Sequence, residues 1–314
     1  MKHLFIKDKL NKFLKLKHVF VFFLLFSAIL ISQNQQLELT ISNDKFVFLD
    51  RYYTSGLHFV YRKKLDKNFL FLKEENNNLQ LNITVGNETY TPKNLTSFDN
   101  RDFDRPYAGW LFGKIELVRV KEQSALFIAI ESGITGRESL AGKLQIALHK
   151  LLNIDSRPTW ADEIAYKWLV NTKTAYINNF KLNAKSSIQN QINASLGSKD
   201  TYISNDISYF FGRLNNFQNS TRLNLVDVNQ TKEFFGFISA GYKYLALNAL
   251  IQGSHSNSED PFTSIAQRHI FQLSTGGVLR TKNHLFKLTY YYNTKETPLA
   301  THHVYGALTY GRFF

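Results

Sequence analysis

The chain has 314 residues, a formal net charge of +13 and no cysteine, and 15% of its residues are aromatic. Without cysteine there is no disulfide framework, no thiolate nucleophile and no zinc-thiolate site. Five prolines, sixteen glycines and 20% charged residues argue against a disordered or collagen-like chain. No internal repeat or linker divides the sequence, so we expect one large domain after any targeting segment.

The first 33 residues have the order of a secretory signal peptide. Six lysines precede a stretch from Val19 to Ile31 that is almost wholly apolar. This run is shorter than the roughly 20 residues that a membrane-spanning helix needs. A cleaved signal peptide is therefore favoured over a membrane anchor. We predict a signal peptide at residues 1–33 and an exported domain at residues 34–314, whose basic surface would meet anionic lipid headgroups and not nucleic acid.

Most of the remaining chain alternates apolar and polar residues with the period of a β-strand. In chain order we predict twelve strands, at residues 37–43, 53–63, 78–90, 107–120, 124–135, 165–178, 188–199, 202–213, 233–252, 266–281, 283–295 and 303–314.

Two architectures can cover the apolar face of such strands. In a soluble sandwich the apolar faces meet in a core, whereas in a membrane barrel they face lipid and the polar faces line the lumen. The signal peptide, the strand lengths and an aromatic last strand that ends on Phe314 favour the barrel. We therefore predict an all-β fold, a single twelve-stranded antiparallel transmembrane barrel with a short helical segment in an extracellular loop. The sandwich is the alternative.

The stretch from Gly133 to Trp160 departs from the strand pattern. Gln145 and His149, four residues apart, share one face of a predicted helix. A second face carries apolar residues at helical spacing, namely Leu140, Leu144, Ala147, Leu148 and Leu151. A histidine on a lone helix among strands is a candidate for catalysis. The alternative is a helix that only plugs or covers the sheet, with His149 as a packed residue.

Polar clusters gather where the predicted strands meet the outer rim of the barrel. An even number of strands places both termini on the periplasmic side, so that odd-to-even connections face outward. Asn43 and Asp44 end the first strand, Thr54 begins the second, Lys93 follows the third, and His149 lies between the fifth and sixth. Each alone is a common turn or packing residue, but at one level of the membrane they form a candidate site.

Motifs in these rim segments resemble one known family. In chain order they are N-D at Asn43, D-R-Y-Y-T-S-G from Asp50, Y-T-P from Tyr90, D-R-P-Y-A-G-W from Asp104, G-I-T-G from Gly133, Q-I-A-L-H from Gln145 and P-T-W from Pro158. Their order is similar to that of the lipid A 3'-O-deacylase family. The resemblance implies an outer-membrane barrel that hydrolyses the 3'-linked acyloxyacyl ester of lipid A in a calcium-dependent reaction, as a monomer acting on lipopolysaccharide in the outer leaflet.

The resemblance also implies roles for residues of this chain. The general base would be His149, and the other catalytic residues would be Asn43, Asp44, Thr54 and Lys93. Asp44 and Asp155 would hold Ca²⁺, which prefers hard oxygen ligands.

The functional lysine of the family has a less exact counterpart in this chain than the other residues of the family have. Lys93 lies in the right loop but a few residues early, and Arg101 or Arg105 could take its part.

Two other functions fit a barrel of this kind. A barrel phospholipase would use a Ser-His-Asn set, but no Ser-Asn-Gly follows closely after His149 as it does in that family. A non-enzymatic pore or an inactive relative would need none of the rim residues, although the helix argues against a plain porin.

Overall fold

The computed structural model describes residues 34–47, 51–65, 78–152, 157–226, 232–253 and 260–314. Two predictions fall outside the described residues: the signal peptide at residues 1–33 and the calcium ligand Asp155.

Twelve antiparallel strands in the described residues form a closed barrel in which each strand pairs with its neighbours in sequence and β1 pairs with β12. The strands are β1 (Gln35–Asn43), β2 (Tyr52–Leu65), β3 (Asn78–Thr91), β4 (Ala108–Val120), β5 (Ser124–Ile134), β6 (Trp168–Asn183), β7 (Ser186–Gly197), β8 (Asp200–Arg213), β9 (Glu233–Asn248), β10 (His269–Arg280), β11 (His284–Asn293) and β12 (His303–Phe313). The predicted fold class and strand order are confirmed, and the soluble sandwich is excluded.

The two faces of the barrel wall differ in polarity. Along β1, Leu37 and Ile41 are exposed on the outside, whereas Gln36 and Glu38 are buried inside. Inside the lumen, Glu38 forms an ion pair of 2.9 Å with Arg62 of the neighbouring strand β2. An apolar outer belt with a polar interior is the arrangement that a hydrocarbon environment requires of a barrel.

The periplasmic end of the lumen is filled by residues 214–226, which connect β8 to β9. The backbone of this segment forms hydrogen bonds with the Gln80 side chain, which points inward from β3. Glu233 accepts hydrogen bonds from the Ser220 and Thr221 hydroxyls at 2.7 and 2.6 Å. The segment also buries apolar side chains against inward-facing strand residues: Phe217, Leu223, Leu225 and Val226.

Two α-helices occur in the described residues, and both lie at the opposite, extracellular end. Helix α1 spans Ala141–Leu152, inside the predicted helical stretch, and α2 spans Ala249–Gln252. The prediction that β9 extends to residue 252 is wrong, because Asn248 caps a helical turn by accepting a hydrogen bond from the Leu250 amide at 3.0 Å. Leu250 then packs in a buried cluster with Trp110. Neither helix of the described residues is long and apolar enough to cross a membrane.

Candidate active site

Helix α1 packs against the outside of the barrel, not over its lumen. Asn87 shares the outward face of β3 with the exposed Val85, and its amide donates a 2.7 Å hydrogen bond to the carbonyl of Ser139. On β4, a Cβ added to Gly109 would lie 2.6 Å from the Cβ of Ala141, the first residue of α1. Glycine at this position therefore lets the helix approach the wall closely.

The outer rim on which the helix packs carries a row of small and polar residues. Directly paired residues of neighbouring strands share a face. The register therefore places Asn43, Ser55, Thr89 and Gly109 in one outward row across β1 to β4. Nearer the membrane centre, the outward residues of the same strands are apolar. The rim thus carries a polar patch on the side of the barrel that faces lipid.

The face of α1 that packs on β3 and β4 is also polar. Gln145 and His149 are 1% and 5% exposed, and Ala141 one turn earlier is buried with them. These three residues are spaced by four and therefore lie on one side of the helix. The structure accordingly brings the candidate base to the same outer wall that carries Asn43.

A hydrogen bond from Trp160 fixes the orientation of the Gln145 side chain. The indole Nε1 of Trp160 donates to Gln145 Oε1 at 2.8 Å. An indole N–H can only donate, so the oxygen of the amide must face Trp160 and its NH₂ must face away. Gln145 Nε2 is buried and has no hydrogen-bond acceptor among the described residues. This donor is available to a ligand between the helix and the wall.

The segment after the helix is held by the loop between β3 and β4. The ring of Tyr107 packs on Trp160 at 5.2 Å between centroids, and its hydroxyl donates to the carbonyl of Leu95 at 2.8 Å. The same Leu95 carbonyl accepts a 3.0 Å hydrogen bond from the Thr159 amide. The P-T-W and D-R-P-Y-A-G-W motifs thereby hold Trp160, which contacts α1 through Gln145.

Asn43 and Asp44 form the turn that leaves β1. Asn43 Oδ1 accepts a 2.7 Å hydrogen bond from the Lys45 amide, and the fully buried Asp44 accepts one from the Arg51 amide. These contacts are those of a turn, and they hold the two polar groups at the outer rim. Thr54 on β2 is buried, and its hydroxyl is 2.8 Å from that of Thr91 on β3.

Asp104 of the D-R-P-Y-A-G-W motif joins three outer loops. Its carboxylate accepts hydrogen bonds from the Tyr52 hydroxyl at 2.8 Å and from the Lys93 amide at 3.0 Å. The Tyr52 hydroxyl in turn accepts from the Thr301 amide at 2.8 Å. Tyr52 has a φ of 66°, a conformation that non-glycine residues seldom adopt. Asp104 therefore links the chain segments at Tyr52 and Lys93, and through Tyr52 the segment at Thr301.

The basic residues considered for the lysine role differ in position. The side chain of Lys93 is exposed, and that of Arg101 is exposed and ion-paired with Asp99. Arg105 is 1% exposed, pairs with Glu296 at 2.9 Å and lies 4.7 Å from the centre of the Tyr90 ring. Arg105 is thus enclosed on the lumen side, whereas Lys93 and Arg101 are exposed, and the assignment of the lysine role stays a prediction.

The polar patch could have been found from a switch in the outward pattern of β3. Leu81, Ile83 and Val85 occupy outward positions, and Asn87 and Thr89 continue the same alternation as polar residues. A strand that faces lipid along its length would keep the apolar pattern to its end. The change at residue 87 marks where the segment that leads into α1 meets the wall.

The calcium prediction can be compared only with the described residues. Among them no three Asp, Glu or His side chains cluster as a metal site, and Asp44 is the only predicted ligand described. Calcium also takes amide and backbone oxygens, and the calcium site stays a prediction.

Burial raises the pKa of one carboxyl group beside α1, that of Glu163, to about 7. Arg137, whose Nε lies 3.4 Å away, lowers the pKa but does not offset the burial. Glu163 lies in the loop that follows the helix, outside the strands.

A closed, even-stranded antiparallel barrel with an apolar outer belt and a polar lumen defines the chain as an outer-membrane β-barrel protein. The chain belongs to the LpxR family, since the family described as "Outer membrane protein LpxR" matches residues 19–314. This match confirms the resemblance seen in the rim motifs.

One solved structure is similar to the chain in fold, and a second matches it with a lower TM-score. LpxR from Salmonella typhimurium matches with a TM-score of 0.74 and 16% identity, over 89% of this chain and 100% of that one. The β domain of the Bordetella autotransporter BrkA matches with a TM-score of 0.45 and 10% identity, over 89% of this chain and 98% of that one. No curated protein sequence matches the chain.

Proposed function

We propose that the protein is an outer-membrane lipid A deacylase that hydrolyses the 3'-linked acyloxyacyl ester with His149 as general base and with calcium. One observation carries the proposal. In a chain of the LpxR family, a histidine and a glutamine are buried between a helix and the outer wall of the barrel. A site on the outer wall is open to lipids of the surrounding leaflet, whereas a lumen site would receive water-soluble substrates.

The chemistry follows from these residue types. A neutral His149 removes a proton from a water molecule, and the resulting hydroxide attacks the ester carbonyl carbon. The tetrahedral intermediate then collapses, and the bond between the carbonyl carbon and the sugar oxygen breaks. The proton on His149 passes to that oxygen. The products are an acyloxyacyl fatty acid and lipid A with a free 3'-hydroxyl group.

The developing oxyanion needs donors or positive charge. Gln145 Nε2 is a buried donor on the same helix face as His149. When bound by Asp44, Asp155 and neighbouring carbonyl oxygens, Ca²⁺ would supply positive charge at this oxygen. Asn43 and Thr54 would orient water or the substrate from the wall, and Lys93 would bind a headgroup phosphate.

The pore alternative does not fit the filled lumen. Residues 214–226 occupy the periplasmic end and are hydrogen-bonded to Gln80 and Glu233. A barrel phospholipase and an inactive relative are the remaining alternatives: the first would release lysophospholipid, and the second would change neither lipid.

The test is the mass of lipid A from a Gram-negative host that expresses the chain. We expect loss of one acyloxyacyl unit, abolished by His149→Ala, by Asp44→Ala or by calcium chelation. His302→Ala is the matched control, because His302 is exposed and lies outside the site. Release of lysophospholipid with unchanged lipid A would overturn the proposal and favour the phospholipase.

A further inference from the structure

The surface of α1 that faces away from the barrel is largely apolar. Leu140, just before the helix, and Leu144 are 43% and 46% exposed, and Ala147 is exposed beside them. The buried side of the same helix carries Gln145 and His149. A surface helix in water would bury its leucines and expose its glutamine. In α1 the arrangement is the reverse, with leucines exposed and the glutamine and histidine buried.

Basic residues occupy the neighbouring flank of the helix. Lys143 and Lys150 are exposed, and both lie on the flank of α1 next to the leucines. An apolar stripe with lysines beside it is typical of helices that lie in a membrane interface. Long lysine side chains can reach the headgroups while the helix stays at the level of the acyl chains.

The position of α1 on the barrel places it next to the lipid-facing belt. The helix contacts Gly109, and the next outward residue of β4 toward the membrane is Leu111. Leu111 pairs with Ile134 of β5, which pairs with the exposed Trp168 of β6. Exposed tryptophan marks the boundary between headgroups and hydrocarbon in such barrels. The start of α1 therefore lies one outward residue above the belt.

We propose that α1 is an interfacial helix whose apolar flank, formed by Leu140, Leu144 and Ala147, lies among acyl chains of the outer leaflet. Lys143 and Lys150 lie at the level of the headgroup phosphates. The lipid, not a protein partner, covers the leucines. Together with the proposed function, this means that the ester reaches Gln145 and His149 by lateral movement in the leaflet and does not leave the membrane.

The depth of the helix can be measured without any assumption about activity. Because the chain has no cysteine, a single introduced cysteine can carry a nitroxide spin label. We would label Leu144→Cys in vesicles of phosphatidylethanolamine and phosphatidylglycerol. Ile115→Cys serves as the reference in the lipid belt, and Phe98→Cys as the reference in an exposed loop. Lys150→Cys is the matched control on the other flank.

We expect oxygen to relax the label at residue 144, as it relaxes the label at residue 115. A water-soluble nickel complex should instead relax the labels at residues 98 and 150. If the label at residue 144 responds like that at residue 98, the proposal is overturned.

A second experiment tests whether the membrane contact of α1 affects the deacylation rate. We expect Leu144→Ser to lower the deacylation rate about tenfold with substrate in a bilayer, because the apolar flank no longer seats in the leaflet. Substrate in detergent micelles should show little change, and Leu144→Met should behave as wild type in both. Equal losses in bilayers and micelles would overturn the interfacial role. Absence of deacylation by the wild-type chain in both would defeat the proposed function alone, because the spin-label result stands separately.

Discussion

At the scale of single residues, the most informative group is the amide of Gln145. Trp160 holds its oxygen, and its NH₂ is a buried donor with no acceptor among the described residues. Burying such a group costs free energy unless a ligand completes the hydrogen bond. A site that binds an ester would recover this cost when a substrate oxygen arrives.

We expect Gln145→Met to lower kcat roughly tenfold to a hundredfold with little change in KM, since a donor that acts mainly on the transition state is lost. The measurement is steady-state deacylation by the folded barrel. Trp160→Phe is the comparison variant: it keeps the amide but removes the hydrogen bond that orients it, so it should lower kcat less than Gln145→Met does. If Gln145→Met leaves kcat unchanged, Gln145 serves only to hold the tryptophan.

At the scale of elements, helix α1 is held by close contact with β4 and by the loop that follows it. Gly109 allows the contact, and Glu163 lies in a loop whose Ile164 amide donates to the Tyr107 carbonyl at 2.9 Å. Neither contact involves the reacting groups. Both are therefore places where the position of His149 can be changed indirectly.

We expect Gly109→Ala to reduce the deacylation rate roughly tenfold to a hundredfold, because the new methyl group displaces the start of α1 and misplaces His149. Gly113→Ala is the matched control on the same outward face of β4. Its added Cβ meets nothing closer than the Thr84 carbonyl at 4.0 Å. Heat-modifiable migration on a gel would show that both variants are folded barrels. Full activity in Gly109→Ala would contradict the tight packing.

We expect the loop at residues 157–167 to open more readily above pH 7. The pKa of Glu163, raised by burial to about 7, exceeds the ordinary value of 4.5. The stability that it contributes is therefore present below pH 4.5 and is lost as the pH rises through about 7. At pH 8 the loss would amount to at most about 3 kcal/mol, at about 1.4 kcal/mol per pKa unit.

The measurement is hydrogen exchange at the Ile164 amide in the wild-type chain and in Glu163→Gln, compared at the same pH. The two should exchange at similar rates at pH 5, and the wild type should exchange faster at pH 8. An equal ratio at both pH values would show that Glu163 does not titrate in this range.

At the scale of the whole molecule, the barrel keeps its polar lumen apart from the candidate site on its outer wall. Its lumen is filled at the periplasmic end by residues 214–226, and its polar patch lies on the outer wall under α1. The interior polar groups are used in ion pairs such as that of Glu38 with Arg62. In the proposed function the barrel therefore supports a site on its outer wall, and its lumen takes no part in the reaction.

We expect the wild-type barrel to give no stepwise conductance in a planar lipid bilayer. Glu233→Ala removes the acceptor of the Ser220 and Thr221 hydrogen bonds, so the segment should loosen and brief openings should appear. Lys232→Ala, at the exposed neighbouring position, is the control. Stable conductance steps in the wild type would restore the pore as an alternative.

The sequence by itself determined the barrel, its strand order and most strand ends, because period-two alternation is a local property of each strand. It also placed Asn43, Thr54 and His149 at one membrane level. The end of β9 was misjudged since Asn248 caps a turn that is stabilised by burial of Leu250 against Trp110, a contact distant in sequence.

Only the tertiary structure decided which face of α1 meets the barrel. Helical spacing marked Leu140 and Leu144 as one face and Gln145 and His149 as another, and in water the leucine face would be buried. Beside a bilayer this preference is inverted, because the solvent on that side is hydrocarbon. The burial of His149 against the outer wall and the enclosure of Arg105 on the lumen side likewise depend on strand register and loop packing, which spacing along one chain does not contain.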